Sequence, residues 1–218
     1  MTGRFLYDPK REELSAAKAK ALEALLIKKG IITSETVAEV INFFKTKMGP
    51  FNGAKVVARA WKDPAFKKRL LKTPNSAIAE MDFPPIMSGA EGEHIRVAEN
   101  TSSVHNLIVC TLCSCYPWSL LGLPPYWFKD PVFRARAARE PRKVLKEFGL
   151  DLDDSIEIRV WDSSAQIRWF VLPEQPKGSE GMNEAELAEL LTPEAMMGVA
   201  KVELSPARRG YDPKVQGF

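Results

Sequence analysis

"HNLIVCTLCSCYPW", residues 105–118, runs from a strand directly into a cluster of thiols. Its first half, "HNLIVC", is a short run of apolar and β-branched residues of the kind that forms a buried strand. Its second half holds Cys110, Cys113 and Cys115, all three cysteines of the 218-residue chain. The strand half makes this a β region. The thiol half asks what three sulfurs do within six residues. A disulfide framework spreads paired cysteines over distance, and three is an odd count. A dithiol switch needs a clean C-x-x-C pair, and Cys115 would scramble the one formed by Cys110 and Cys113. Structural zinc wants four ligands from separated pairs, and neither His94 nor His105 is spaced as a fourth.

The C-S-C spacing suits another chemistry. A thiolate and the backbone nitrogen of its own residue chelate one metal in a five-membered ring, provided the peptide nitrogen loses its proton. In Cys113-Ser114-Cys115, two sulfurs flank the peptide nitrogens of Ser114 and Cys115. These four donors can lie in one plane, with Cys110 beneath and a sixth position open. An open position is what a Lewis-acid catalyst needs. Thiolates and amidates together favour a trivalent, low-spin cobalt or iron over zinc or magnesium.

Outward from this motif, the N-terminal side is nearly all helix. "KREELSAAKAKALEALLIKK", residues 10–29, places Leu14, Ala17, Ala21 and Leu25 at helical spacing, and Gly30 stops it. A second helix is expected over 35–48, capped by Ser34, with Val37, Val40, Ile41, Phe44 and Met48 as its apolar stripe. "NGAKVVARAW" reads as helix, Asp63-Pro64 starts another, and Pro74 opens a turn up to Met81. The apolar stripes of the first two helices exceed what a free arm should expose, so a partner surface is expected there. The lysine-rich outer faces read as solvated.

"DFPPIMSGAEGEH", residues 82–94, marks a boundary by its prolines and glycines. Beyond it "HIRVAE", "HNLIVC", "SIEIRVWD" and "IRWFVLP" read as strands. Helices are expected in "PVFRARAAREPRKVLKEFG", broken before Pro141, in "NEAELAELL" capped by Asn183, and in "TPEAMMGV" capped by Thr192. The expected organisation is a helical arm over 1–82, an α/β metal-binding domain over 83–205 and a polar tail over 206–218.

Composition narrows the function. The chain is 45% hydrophobic and 27% charged, as soluble globular domains are, and its net charge of +3 is too mild to argue for nucleic acid. No apolar run approaches the ~18–20 residues of a membrane span, and "MTGRFLYDPKREE" lacks a signal-peptide core. The expected location is the cytoplasm, with no membrane partner.

Taken together, "VCTLCSCYPW", "LGLPPYWFK", "EIRVWDSSAQIRWFVLPEQPKGSEG" and the upstream "NGAKVVARAWKDPAFKKRLL" and "GEHIRVAENTSSVHN" resemble the α subunit of nitrile hydratase. The likeness runs over roughly residues 15–203. It implies a layered α-β-β-α catalytic domain behind the helical arm, and a reaction in which nitriles take up water to give amides. It implies one Co(III) per chain, with Fe(III) as the alternative, bound by Cys110, Cys113, Cys115 and the peptide nitrogens of Ser114 and Cys115. Two cysteines would be oxidised, Cys113 to the sulfinic and Cys115 to the sulfenic acid. A β subunit would complete the enzyme as an α2β2 heterotetramer, supplying arginines that protect the oxidised sulfurs.

Ser114 and Trp118 would line the pocket, although Trp118 also reads as a core aromatic. The C-T-L-C-S-C form, with Thr111, goes with cobalt in the family. The attacking oxygen is either an activated water or the Cys115 sulfenate. Two positions depart from the family pattern. Glu91 stands where a glutamine is usual, and Gln166, four residues after Asp162, stands where a glutamate is usual. An exchange of one carboxylate across a shared network would place Glu91 and Gln166 together beside the claw, with Asp162 nearby. Independent changes are the competing reading. The metal-bearing subunit of thiocyanate hydrolase shares the cysteine motif, but it has an arginine where this chain has Trp118. A non-catalytic zinc module is the contrast from another class.

Overall fold

The structure is a computed structural model of the 218-residue chain and describes residues 9–81, 83, 94–112 and 115–204. Five helices lead: α1 (Pro9–Lys28), α2 (Ser34–Lys47), α3 (Pro50–Lys62), α4 (Pro64–Lys72) and α5 (Pro74–Ala79). Strands β1 (His94–Glu99) and β2 (Val104–Val109) follow, then α6 (Trp118–Leu121), a 3-10 turn (Tyr126–Lys129), α7 (Pro131–Arg139) and α8 (Pro141–Glu147). The chain closes with β3 (Glu157–Asp162), β4 (Ile167–Leu172), α9 (Glu184–Glu189) and α10 (Pro193–Met197).

The helix starts are set by short side chains. Asp63 accepts the backbone N–H of Phe66 at 2.9 Å and Thr192 that of Ala195 at 3.2 Å. Asn183 and Glu186 form a reciprocal capping box at the head of α9. Each such cap contributes about 1 kcal/mol. At α2 the expected cap is corrected by one residue. Thr33, with extended backbone, accepts the Thr36 N–H at 3.1 Å, and Ser34 is the first helical residue. The break before Pro141 falls at Glu140, where α7 ends.

The four strands do not pair as hairpins. β1 lies parallel to β4, with Val97 opposite Phe170, and β2 lies parallel to β3, with Val109 opposite Asp162. Consecutive strands therefore enter different sheets, turning at 100–103 and again at 163–166. The first corner is tied by buried amides. Asn100 accepts the Asn106 backbone N–H at 2.7 Å through its side-chain oxygen, and its own N–H donates to the Leu172 carbonyl at 2.9 Å. At the second corner the Ser163 N–H donates to the Val109 carbonyl at 2.7 Å.

α4, α5 and α10 pack against the β1–β4 sheet, the two sheets face each other, and α7 and α8 cover β2 and β3. The order is α-β-β-α, the layering that the resemblance implies. Phe66, Leu70, Leu107, Ile108, Phe128 and Phe170 are fully buried in one core. Each contributes about 1.5–3 kcal/mol of apolar burial. Trp127 adds edge contacts to Phe133 at 4.9 Å and Phe148 at 4.8 Å, from a 3-10 turn for which the sequence reading made no provision.

α1 and α2 form an arm that stands apart from this core, while α3, α4 and α5 bury side chains in it. α2 buries no residue, and Leu14, Leu22, Leu25, Val40 and Ile41 are exposed. Of the stripe expected over 35–48, Val40 and Ile41 are uncovered in this single chain, Val37 and Phe44 are half-buried, and Met48, just past the end of α2, is buried. Among the described residues, no helix is long and apolar enough to cross a membrane. The expected tail 206–218 lies outside the described residues, as does the expected linker 82–94 apart from Phe83 and His94.

Candidate metal centre

The parallel β2–β3 pair ends in register at Val109 and Asp162, and the thiol motif leaves from that end. Cys110 follows β2 at 0% exposure, sealed in the core. Thr111 then turns outward and is held by Asp162. The Asp162 carboxylate accepts the Thr111 backbone N–H at 2.9 Å through one oxygen and the Thr111 hydroxyl at 2.5 Å through the other. Leu112, the next residue, is 85% exposed. The chain returns inward at Cys115, which is again buried.

Beyond the loop, Tyr116 is wholly enclosed. Its hydroxyl donates to the Met197 sulfur on α10 at 3.3 Å, and its ring meets Phe128 edge-on at 5.3 Å. Burial holds this phenol well above its usual pKa, and the negative charge of Glu194 adds to the shift. The Pro117 carbonyl accepts the N–H groups of Leu120 and Leu121 and so starts α6. Trp118 opens that helix, half-buried, its ring edge-on to Phe44 of α2 at 6.2 Å.

Buried Cys110 and Cys115 therefore bracket a segment that is tethered at Thr111 and exposed at Leu112. Cys113 and Ser114 lie outside the described residues, and so does Glu91 with its expected network. Gln166 is exposed at the β3–β4 corner, where its carbonyl accepts the His94 N–H at 3.2 Å. His105 is committed elsewhere. It sits five residues before Cys110, about 17 Å away at strand rise, and its Nε2 donates to the Gly198 carbonyl at 2.7 Å. Burial pushes its imidazole below the usual pKa, against the Gly198 hydrogen bond and with the help of Lys201. Among the described residues, no three His, Cys, Asp or Glu side chains gather as a metal site. The donors that are placed are Cys110 and Cys115, both soft thiols sealed from bulk water. That set fits a soft or strong-field metal and offers no imidazole for a mixed zinc site.

The Asp162–Thr111 tether and the Trp118–Phe44 contact were not foreseen from sequence. Each joins residues far apart in the chain, and no local pattern announces either.

The fold and the thiol loop define a layered α/β metalloprotein of the nitrile hydratase type. The family model "Nitrile hydratase, alpha chain" matches residues 13–200, and the chain belongs to that family. It is 49% identical over 200 residues to the low-molecular-weight cobalt-containing nitrile hydratase subunit alpha of Rhodococcus rhodochrous, covering 92% of this chain and 94% of that one. The thiocyanate hydrolase subunit gamma of Thiobacillus thioparus is more distant, at 37% identity over 83% of this chain and 76% of its own. Among solved structures, a double mutant of the Fe-type nitrile hydratase from Comamonas testosteroni Ni1 superposes with a TM-score of 0.80 at 39% identity, covering 94% of this chain and 97% of that one.

Proposed function

We propose that this chain is the metal-bearing α subunit of a nitrile hydratase, converting nitriles to amides in partnership with a β subunit. The observation that carries the reading is buried Cys110 at the shared end of β2 and β3, with Cys115 buried five residues on, in a chain of this family. The ligands are Cys110, Cys113, Cys115 and the peptide nitrogens of Ser114 and Cys115. The metal is cobalt, as named for the Rhodococcus relative, with iron as the alternative on account of the Fe-type neighbour. When bound, it supplies Lewis-acid polarisation of the C≡N bond.

The chain's own part is positioning. Cys110 anchors the loop in the core, Asp162 holds Thr111, and Ser114 and Trp118 face the substrate. Cys113 as sulfinic and Cys115 as sulfenic acid complete the site. The oxidised Cys115 survives only with protection from further oxidation, which is why an α2β2 assembly is part of the proposal. The cytoplasm is the proposed location. The exposed apolar residues of α1 and α2 support a partner that lies along the arm.

The test is amide formation from acetonitrile and benzonitrile by this chain co-expressed with a β subunit in cobalt-supplemented medium. Amide release with about one cobalt per chain is expected. A metal-loaded complex that hydrates neither nitrile overturns the reading, and turnover of thiocyanate instead would assign it to the relative's reaction.

Asp162 yields a separate prediction. Asp162→Ala removes both acceptors from Thr111 and is expected to lower metal loading or activity by about ten- to a hundredfold, the usual cost of losing a group that orients a ligand loop. Asp162→Asn keeps one acceptor for the Thr111 N–H and is expected to fall between. Metal content per chain and kcat/KM measure both. Wild-type loading and rate in Asp162→Ala would show that the tether orients nothing.

A further inference from the structure

The last turn of the arm is joined to the segment carrying Trp118 at three points. Asn52, buried at the start of α3, donates its side-chain amide to the Lys47 carbonyl at the end of α2 and to the Ser119 carbonyl in α6, both at 2.9 Å. Gly122, which ends α6, approaches the arm's exit so closely that a Cβ there would stand 3.3 Å from the Gly49 Cα. Phe44, one turn before the end of α2, meets the Trp118 ring edge-on at 6.2 Å and an interplanar angle of 65°. An otherwise uncovered helix therefore reaches the body at the aromatic residue three positions past Cys115.

Backbone ties and ring contact do different work here. Asn52 and Gly122 fix the backbone of α6 against the arm's exit. They act on backbone, whereas the Trp118 ring is oriented by what it touches, the core on which it packs and Phe44 among them. Phe44 touches that ring. Edge-to-face geometry is favourable and directional, so the contact selects an orientation as well as filling space.

We infer that Phe44 is a positioning residue for Trp118, and that through it the N-terminal arm sets which nitriles the site accepts. The inference rests on the reading of Trp118 as a wall of the nitrile site. Phe44 itself does not touch substrate. With the Phe44 ring removed, the Trp118 ring gains room to swing toward the vacated space. The pocket widens, and bulky aromatic nitriles gain relative to small aliphatic ones. Because the arm buries nothing of its own in α2, its position depends on what lies along it, and substrate preference would follow assembly.

The experiment uses the assembled α–β enzyme carrying Phe44→Ala, Phe44→Tyr or Phe43→Ala. Phe43 packs on Phe44 at 6.1 Å and serves as an arm control. In Phe44→Ala the ratio of kcat/KM for benzonitrile to that for acetonitrile is expected to rise about three- to tenfold, the worth of one aromatic pair. The change should lie in KM, with kcat for acetonitrile and metal content within about twofold of wild type. Phe44→Tyr keeps the ring and should restore the wild-type ratio. A readout without turnover is acrylamide quenching of Trp118 emission, taken as the difference between each protein and its Trp118→Phe counterpart. That emission should become more quenchable in Phe44→Ala only. An unchanged ratio with unchanged quenching overturns the inference, and so does an equal shift in Phe43→Ala, which would mark general loosening of the arm. If the wild-type complex makes no amide, the nitrile reading fails, while the quenching result still decides whether Phe44 orients Trp118.

Discussion

Cys110→Ala is expected to give a folded chain that neither loads metal nor turns over nitrile. Cys110 is 0% exposed and continues directly from β2, so its side chain is part of the core as well as a proposed ligand. Losing the sulfur from a packed site costs about 1–2 kcal/mol, a small cavity of the kind that cores survive. With the proposed ligand set, the same change removes the one cysteine that stays an unoxidised thiolate, and the remaining donors no longer enclose a trivalent ion. With Lewis-acid stabilisation worth several kcal/mol, activity should fall by about a thousandfold or more.

Cys110→Ser separates packing from ligation. The hydroxyl fits the space, but it is a harder donor and a buried polar group in an apolar setting. It should lose metal as alanine does and be less stable than alanine. Metal analysis, the visible thiolate-to-metal charge-transfer band and urea midpoints distinguish these effects. Stoichiometric cobalt with an unaltered band in Cys110→Ala would remove Cys110 from the ligand set.

How far the sequence carried this reading depends on the range of each interaction. Caps at Asp63, Asn183 and Thr192 span three residues, and they were legible as such. The slip from Ser34 to Thr33 shows the limit. Two adjacent hydroxyl residues both suit a cap, and extended backbone at Thr33 decides between them. The four strands were legible from β-branched runs, but their partners were not. Connections as short as 100–103 and 163–166 suggest hairpins, whereas the chain interleaves two parallel pairs.

The region from Trp118 to Lys129 was the least legible. "PWSLLGLPPYWFK" carries proline and glycine signals of a loop, yet it folds as α6 and a 3-10 turn that bury Leu120, Leu121, Trp127 and Phe128. At the site, the cysteines were evident from spacing. What holds them was hidden, because Thr111 and Asp162 stand 51 residues apart and Asn52 and Ser119 stand 67 apart. Glu91, one of the two departures from the family pattern, lies outside the described residues.

The parallel pairing also explains why the far end of β2 bears on stability. Gly198, just past α10, has φ +87, and a Cβ there would meet the Asn106 carbonyl oxygen at 1.9 Å and the Leu107 Cα at 3.0 Å. Both obstacles are backbone atoms of β2, a buried strand, so neither can swing aside. The Gly198 carbonyl also accepts from His105 at 2.7 Å, which pins the residue in place. Gly198→Ala must therefore push α10 off the sheet, and that movement also pulls Met197 away from the Tyr116 hydroxyl. The left-handed backbone alone costs about 1–2 kcal/mol for a residue with a Cβ. Displacing packed backbone and breaking a buried hydrogen bond should bring the total to about 4 kcal/mol or more. Gly149 is the matched control. It has the same φ of +87 and nothing within 4 Å of its would-be Cβ, so Gly149→Ala should cost the backbone strain only. Urea midpoints of the two variants in the assembled enzyme measure the difference. Equal destabilisation in both would mean that α10 yields freely and that the sheet does not hold it. A deficit confined to Gly198→Ala, accompanied by impaired metal loading, would link the packing of α10 to the cysteine loop through Tyr116.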